Sequence, residues 1–206
     1  MLPRIDYSEM PAHKLFPPRH PKIAEAEKAI AEMVSDPRGR FLTAIHEAGH
    51  AVQYRKLGIA YAFGGPSVFH DCSTDTFFSS CGSTQIRDKD FLKLAAEDPE
   101  KLAKVLVAGR VAERVLMGVD NLYHSEMDFS DFIYFTKGRS KSDLVLLWKQ
   151  TEEEYFREMS EDLNEQKEIV HEAARFSEKI FGVDPSVREI SNTPSQTHPL
   201  KQPPRV

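Results

Sequence analysis

The sequence predicts an α+β domain dominated by helices, and three observations carry that expectation. Apolar residues recur every three to four positions through most of residues 23–180, the period of a helix face. Residues 59–86 break that period; they are rich in Phe, Ser, Thr and Gly and read as a small sheet of two to four short strands. Prolines gather at the ends, five of the 13 within residues 1–22 and four within 191–206. Proline fixes φ and removes a backbone donor, so residues 1–22 are expected to be an irregular leader. The polar tail, 191–206, is expected to be disordered. The domain is placed at 23–190.

The elements follow in order. Ile23 to Val34 is rich in Ala and Glu and stops before Asp36-Pro37, which reads as a helix. Arg40 to Leu57 carries Phe41, Ala44, Ile45, Ala48, Ala51 and Val52 on one stripe, and Gly58 sits where a helix C-cap glycine belongs. Turn signals at Gly64-Gly65-Pro66 and Gly82 divide the strand region. The helical period returns at Asp88. Pro99 suits a first turn, and Leu102, Val105, Leu106, Val111, Val115 and Leu116 follow before Gly118. Ser125 is placed as N-cap of a helix through Phe135 that ends at Gly138. Ser142 to Ile180 reads as two helices. Trp148 with Leu144, Val145 and Leu147 reads as core, and Glu152-Glu153-Glu154 as a solvated helix face.

Composition narrows the function. The chain has 206 residues, enough for one domain with its own core. With 27 basic and 32 acidic residues the net charge is −5, which gives no general attraction for nucleic acid. Two cysteines, Cys72 and Cys81, exclude a disulfide scaffold and an all-cysteine zinc site. No apolar run approaches the ~18 residues of a membrane span, and no signal-peptide core is present. A cytoplasmic protein with reduced thiols is expected.

His46-Glu47-Ala48-Gly49-His50 is an H-E-x-x-H motif on an expected helix. Residues i and i+4 share a helix face, so both imidazoles can reach one zinc ion. Glu47 can then lean over the metal and take a proton from zinc-bound water as general base. Chance composition gives about 0.03 such motifs in a chain like this. Gly49 in mid-helix costs about 1 kcal/mol against Ala, which suggests a close approach to the backbone there. A catalytic zinc takes a third protein ligand. Position 56, where a metzincin has its third His, holds Lys56. The candidates are Glu113, Glu126, Asp128, Asp131, His70, His124 and His171.

Thr43 to Val52 resembles the zinc helix of the FtsH-type AAA protease peptidase domain. A second block, Val107-Ala108-Gly109-Arg110-Val111-Ala112-Glu113, is similar to that family's Gly-Gly-Arg-Ala-Ala-Glu-Glu helix. Ser125-Glu126-Met127-Asp128 is similar to its short polar segment ending in a zinc-binding Asp. The resemblance covers about residues 40–180 and implies a zincin-like fold. It also implies Zn2+ held by His46, His50 and Asp128, with Glu47 as base. Asp131 and Glu113 remain alternatives for the third ligand, and Glu113 is also read as a partner supporting a ligand.

No G-x-x-x-x-G-K-[ST] loop and no apolar run of membrane-span length occurs in these residues, so neither the family's ATPase module nor its membrane anchor is expected. The expectation is a stand-alone metallopeptidase acting on flexible or unfolded polypeptides, with a separate ATPase or adaptor as the partner that would supply unfolding. By the resemblance, substrate lies extended along an edge strand within 59–86. The alternatives are a catalytically idle protein-binding module of the same fold and a zinc hydrolase of non-peptide amides. His124 is read as a surface histidine, with proton donor near the metal as the alternative. His70, Asp71, Cys72 and Cys81 are read as containing core thiols, with a second metal site as the alternative.

Overall fold

Local chemistry sets the helix boundaries. In a computed structural model, which describes residues 21–71, 76–120, 125–136 and 138–182, helix α1 spans Pro21–Ser35 and α2 spans Pro37–Lys56. The Asp36 carboxylate between them accepts from the backbone N–H groups of Arg38 and Gly39, both at 3.1 Å, and Pro37 occupies the first turn. Strands β1 (Tyr61–Gly64), β2 (Ser67–Asp71), β3 (Thr76–Ser80) and β4 (Ser83–Ile86) follow. Then come α3 (Asp88–Glu97) and α4 (Pro99–Met117). Asp98 caps α4 by accepting from Lys101 N at 3.0 Å, and Gly118 ends it with φ 62°. Helices α5 (Glu126–Phe135), α6 (Lys141–Glu161) and α7 (Leu163–Phe181) complete the described chain. The α+β class with helices in the majority agrees with the sequence reading.

The strands form two antiparallel ladders of two strands each, one nested inside the other in sequence. β2 and β3 pair as a hairpin with Ser67 opposite Ser80, while β1 and β4 pair around it with Tyr61 opposite Ile86. Among the described residues β4 has only β1 as a partner, so its other edge is unpaired.

Helix α2 is the centre of the molecule, packed between α4 and α7, with α6 on the far side of α4. Small residues let α2 and α4 approach closely. Ala44, Ala48 and Ala51 on α2 and Ala103, Val107, Ala108 and Ala112 on α4 are all fully buried. A Cβ on Gly49 would lie 2.4 Å from the carbonyl oxygen of Ala108, so glycine is required where the helices touch. This is the close approach that the mid-helix glycine suggested.

Two sequence expectations need correction. Ser125 precedes α5 as placed and the helix runs through Phe135 as expected, but the Ser125 side chain makes no cap hydrogen bond and the C-cap is Thr136 rather than Gly138. There the Thr136 N–H donates to the Phe132 carbonyl at 3.1 Å, which closes the last turn. Glu152 is not part of a solvated face. It lies on the buried stripe Leu144, Trp148, Tyr155 and Met159 of α6 and is itself buried. Arg110 donates to it at 3.0 Å and Arg114 at 2.9 Å, so its charge is neutralised across the α4–α6 interface. Glu153 and Glu154 are exposed, as expected. Among the described residues, no helix is long and apolar enough to cross a membrane.

Candidate metal centre

His46 and His50 lie one turn apart on α2, with ring centroids 4.8 Å apart and planes at 74°. Their outer nitrogens are fixed by α4. Nδ1 of His46 is 2.8 Å from Glu113 Oε1, and Nδ1 of His50 is 2.8 Å from the Val105 carbonyl oxygen. A carbonyl and a carboxylate only accept, so both Nδ1 atoms act as donors. In neutral imidazoles that leaves a lone pair on each Nε2.

The two Nε2 atoms are 3.1 Å apart, and Asp128 Oδ2 is 3.3 Å from one and 3.5 Å from the other. Asp128 comes from the first turn of α5. Its Oδ2 is fully buried and has no hydrogen-bond partner among the described residues. Three lone pairs thus converge on one point, an arrangement that could hold a cation.

The donors fit zinc. Zn–N and Zn–O bonds of about 2.0–2.1 Å place tetrahedral ligands about 3.3 Å from one another, close to the three separations seen here. Two imidazoles and one carboxylate leave a fourth corner for water or substrate. The space is also kept clear: a Cβ on Gly109 of α4 would sit 2.6 Å from both Nε2 atoms.

Without a metal the charges adjust among themselves. Burial works to lower the His46 pKa, but the adjacent carboxylates of Asp128 and Glu113 and the charge of Glu47 outweigh it, so the net shift is well upward. His50 is raised too, burial again opposing and Asp128 prevailing. Burial would raise Asp128, yet the two imidazoliums hold it far below the usual carboxylate range. Asp131 is pushed up to about 6, first by desolvation and then by the charge of Asp128.

A raised histidine pKa means the protonated, metal-free site adds stability fully present below the unfolded value near 6.5 and lost as pH rises through the folded value. Zinc must displace those protons. Zinc affinity should therefore strengthen as pH rises, with protons released on binding. Calorimetric titration with zinc at pH 7 in two buffers of different protonation enthalpy measures that release; buffer-independent heats would contradict it.

A cleft of about 1060 Å³ opens onto this cluster. Glu47, Tyr54 and Asp131 line it, together with Ser83 to Ile86 of β4. Thr84 Oγ1 donates to the Glu47 carbonyl at 2.8 Å, which ties β4 to the motif helix. Apolar side chains from five helices, among them Leu42, Phe91 and Met127, complete the lining.

Of the candidate third ligands, the structure brings Asp128 to the two imidazoles. Glu113 meets His46 at its outer nitrogen instead. Asp131 and Glu126 line the cleft and are exposed, and His171 is exposed on α7. His124, Cys72 and the side chains of His70 and Asp71 lie outside the described residues, as do the proline-bearing ends at 1–20 and 183–206. Cys81 is a buried thiol, raised by burial, with its Sγ 3.0 Å from Met33 Sδ. Sequence reasoning passed over Gly109 and Tyr54. The signals were present: a glycine inside the apolar α4 run, and a tyrosine four residues beyond His50 on the same stripe. No family model matches the chain, and no curated protein matches it either.

Proposed function

We propose that the chain is a zinc-dependent metallopeptidase with a zincin-like fold, hydrolysing peptide bonds in flexible or unfolded polypeptides. The observation that carries this reading is the meeting of His46 Nε2, His50 Nε2 and Asp128 Oδ2 beside Glu47 at the floor of a cleft. The resemblance of the zinc helix and the α4 block to the FtsH-type peptidase domain supports it.

His46, His50 and Asp128 would hold the ion. Zinc bound there supplies Lewis acidity, polarising a carbonyl and bringing the pKa of water towards ~7. Glu113 and the Val105 carbonyl hold the two imidazoles in the tautomer that turns Nε2 inward. The Glu47 carboxylate accepts one proton from the attacking water as its oxygen bonds to the substrate carbonyl carbon. It then returns that proton to the amide nitrogen as the C–N bond breaks, so one water is consumed per bond cleaved. The unpaired edge of β4, tied to α2 through Thr84, offers main-chain hydrogen bonds to an extended substrate, which favours low sequence specificity. Folded targets would need a separate ATPase or adaptor to expose such a segment.

The test is cleavage of an unfolded protein such as casein by the zinc-loaded full chain. Cleavage that stops on chelation and returns with zinc is the expected result. Absence of cleavage with zinc bound would overturn the reading in favour of a binding module.

A further inference from the structure

Tyr54 is buried, only 3% exposed, yet it lines the cleft. His46, His50 and Tyr54 follow one another at four-residue spacing, so they form one stripe of α2. Long side chains on a helix tend to lean toward its N-terminus, the direction in which His50 lies from Tyr54. Its hydroxyl has no hydrogen-bond partner among the described residues. The two unpartnered polar side-chain atoms that are fully buried there are Arg110 Nε and Asp128 Oδ2. The Tyr54 hydroxyl is therefore in touch with the open space of the cleft. Burial first, and then the charges of Asp128, Glu47 and Asp131, hold the proton on it.

A buried ring with an idle hydroxyl, lining the same cleft as His46, His50 and Asp128, is a poor structural element. Buried tyrosines ordinarily find a partner for that group. Tyr155 in this molecule shows the ordinary case, with its hydroxyl bonded to Glu165 at 2.7 Å and to Gln53 at 2.6 Å. Resting on the peptidase reading, we infer that Tyr54 is a catalytic residue whose hydroxyl donates a hydrogen bond to the substrate carbonyl oxygen as that oxygen becomes negative. The tyrosine keeps its proton throughout; no bond to it forms or breaks. A donor with no bond to give up beforehand costs little to engage, and its contribution appears as charge develops.

The experiment compares wild type with Tyr54→Phe, both zinc-loaded and full length, by zinc content, thermal midpoint, peptide kinetics and affinity for a phosphinic peptide. In that probe a tetrahedral phosphinate stands where the cleaved amide would be. Zinc content and midpoint should not change, because the hydroxyl has no partner to lose. The phosphinic peptide should bind at least about tenfold more weakly, and kcat should fall about 10²-fold with KM little altered.

Equal phosphinic-peptide affinity in the two proteins would overturn the inference, and so would loss of zinc from the variant, which would make Tyr54 a support of the metal. Tyr54→His gives a second measure: a ring that can still donate should recover part of the affinity, and failure to exceed Tyr54→Phe counts against the assignment. A wild type that binds the phosphinic peptide in a Tyr54-dependent way but cuts nothing would sink the peptidase reading and leave the Tyr54 donor standing.

Discussion

Zinc-loaded Glu47→Gln is expected to hydrolyse peptides at least about 10²-fold more slowly than wild type while holding zinc as tightly. Glutamine keeps the shape of glutamate but cannot accept a proton from water. Glu47 is buried at the floor of the cleft, and its carboxylate is not one of the three groups that converge as ligands. The change should therefore appear in kcat and not in metal content. Fluorogenic peptide kinetics with zinc measured on the same samples separates the two. Equal rates for the two proteins would show that another group is the base or that the signal belongs to a contaminant.

Gly109→Ala should cost the chain its zinc. The added Cβ would stand 2.6 Å from both Nε2 atoms and 2.7 Å from His46 Cδ2, far inside ordinary contact. Side-chain ends can often turn away from such a clash, but these rings are held from behind. His46 is fixed through Nδ1 to Glu113, and His50 through Nδ1 to the Val105 carbonyl. Rotating either ring breaks its buried hydrogen bond, a loss of about 1–3 kcal/mol each. The helix itself should not suffer, since alanine is about 1 kcal/mol better than glycine in a helix interior. The expected outcome is zinc affinity reduced at least about 10²-fold, in keeping with two such bonds at stake, with helix content by circular dichroism unchanged. Wild-type affinity in Gly109→Ala would mean that the two Nε2 atoms do not face the ion.

The helices were legible in the sequence because their apolar stripes and caps are local. Asp36-Pro37, Asp98-Pro99, Gly58 and Gly118 each act within a few residues of where they stand. The motif pair was legible for the same reason, since four-residue spacing on one helix determines what the two rings can share. The third carboxylate was not determined in this way. Glu113, Asp128 and Asp131 all stand within two helices of the right character, and only the crossing of α4 and α5 over α2 decides which atom meets which nitrogen. Glu152 failed for a related reason. A triplet of glutamates suggests solvent, but the α6 stripe turns one of them inward, where Arg110 and Arg114 from another helix wait for it. Gly49 was read correctly as a contact point, whereas Gly109 was not, because its neighbours are side chains brought from α2.

X-ray absorption at the zinc edge, on the full chain loaded with one equivalent of zinc, tests the central claim most directly. The account predicts stoichiometric uptake and a first shell of two imidazole nitrogens with oxygen and no sulfur. Sulfur scattering near 2.3 Å, or zinc bound without imidazole, would contradict it.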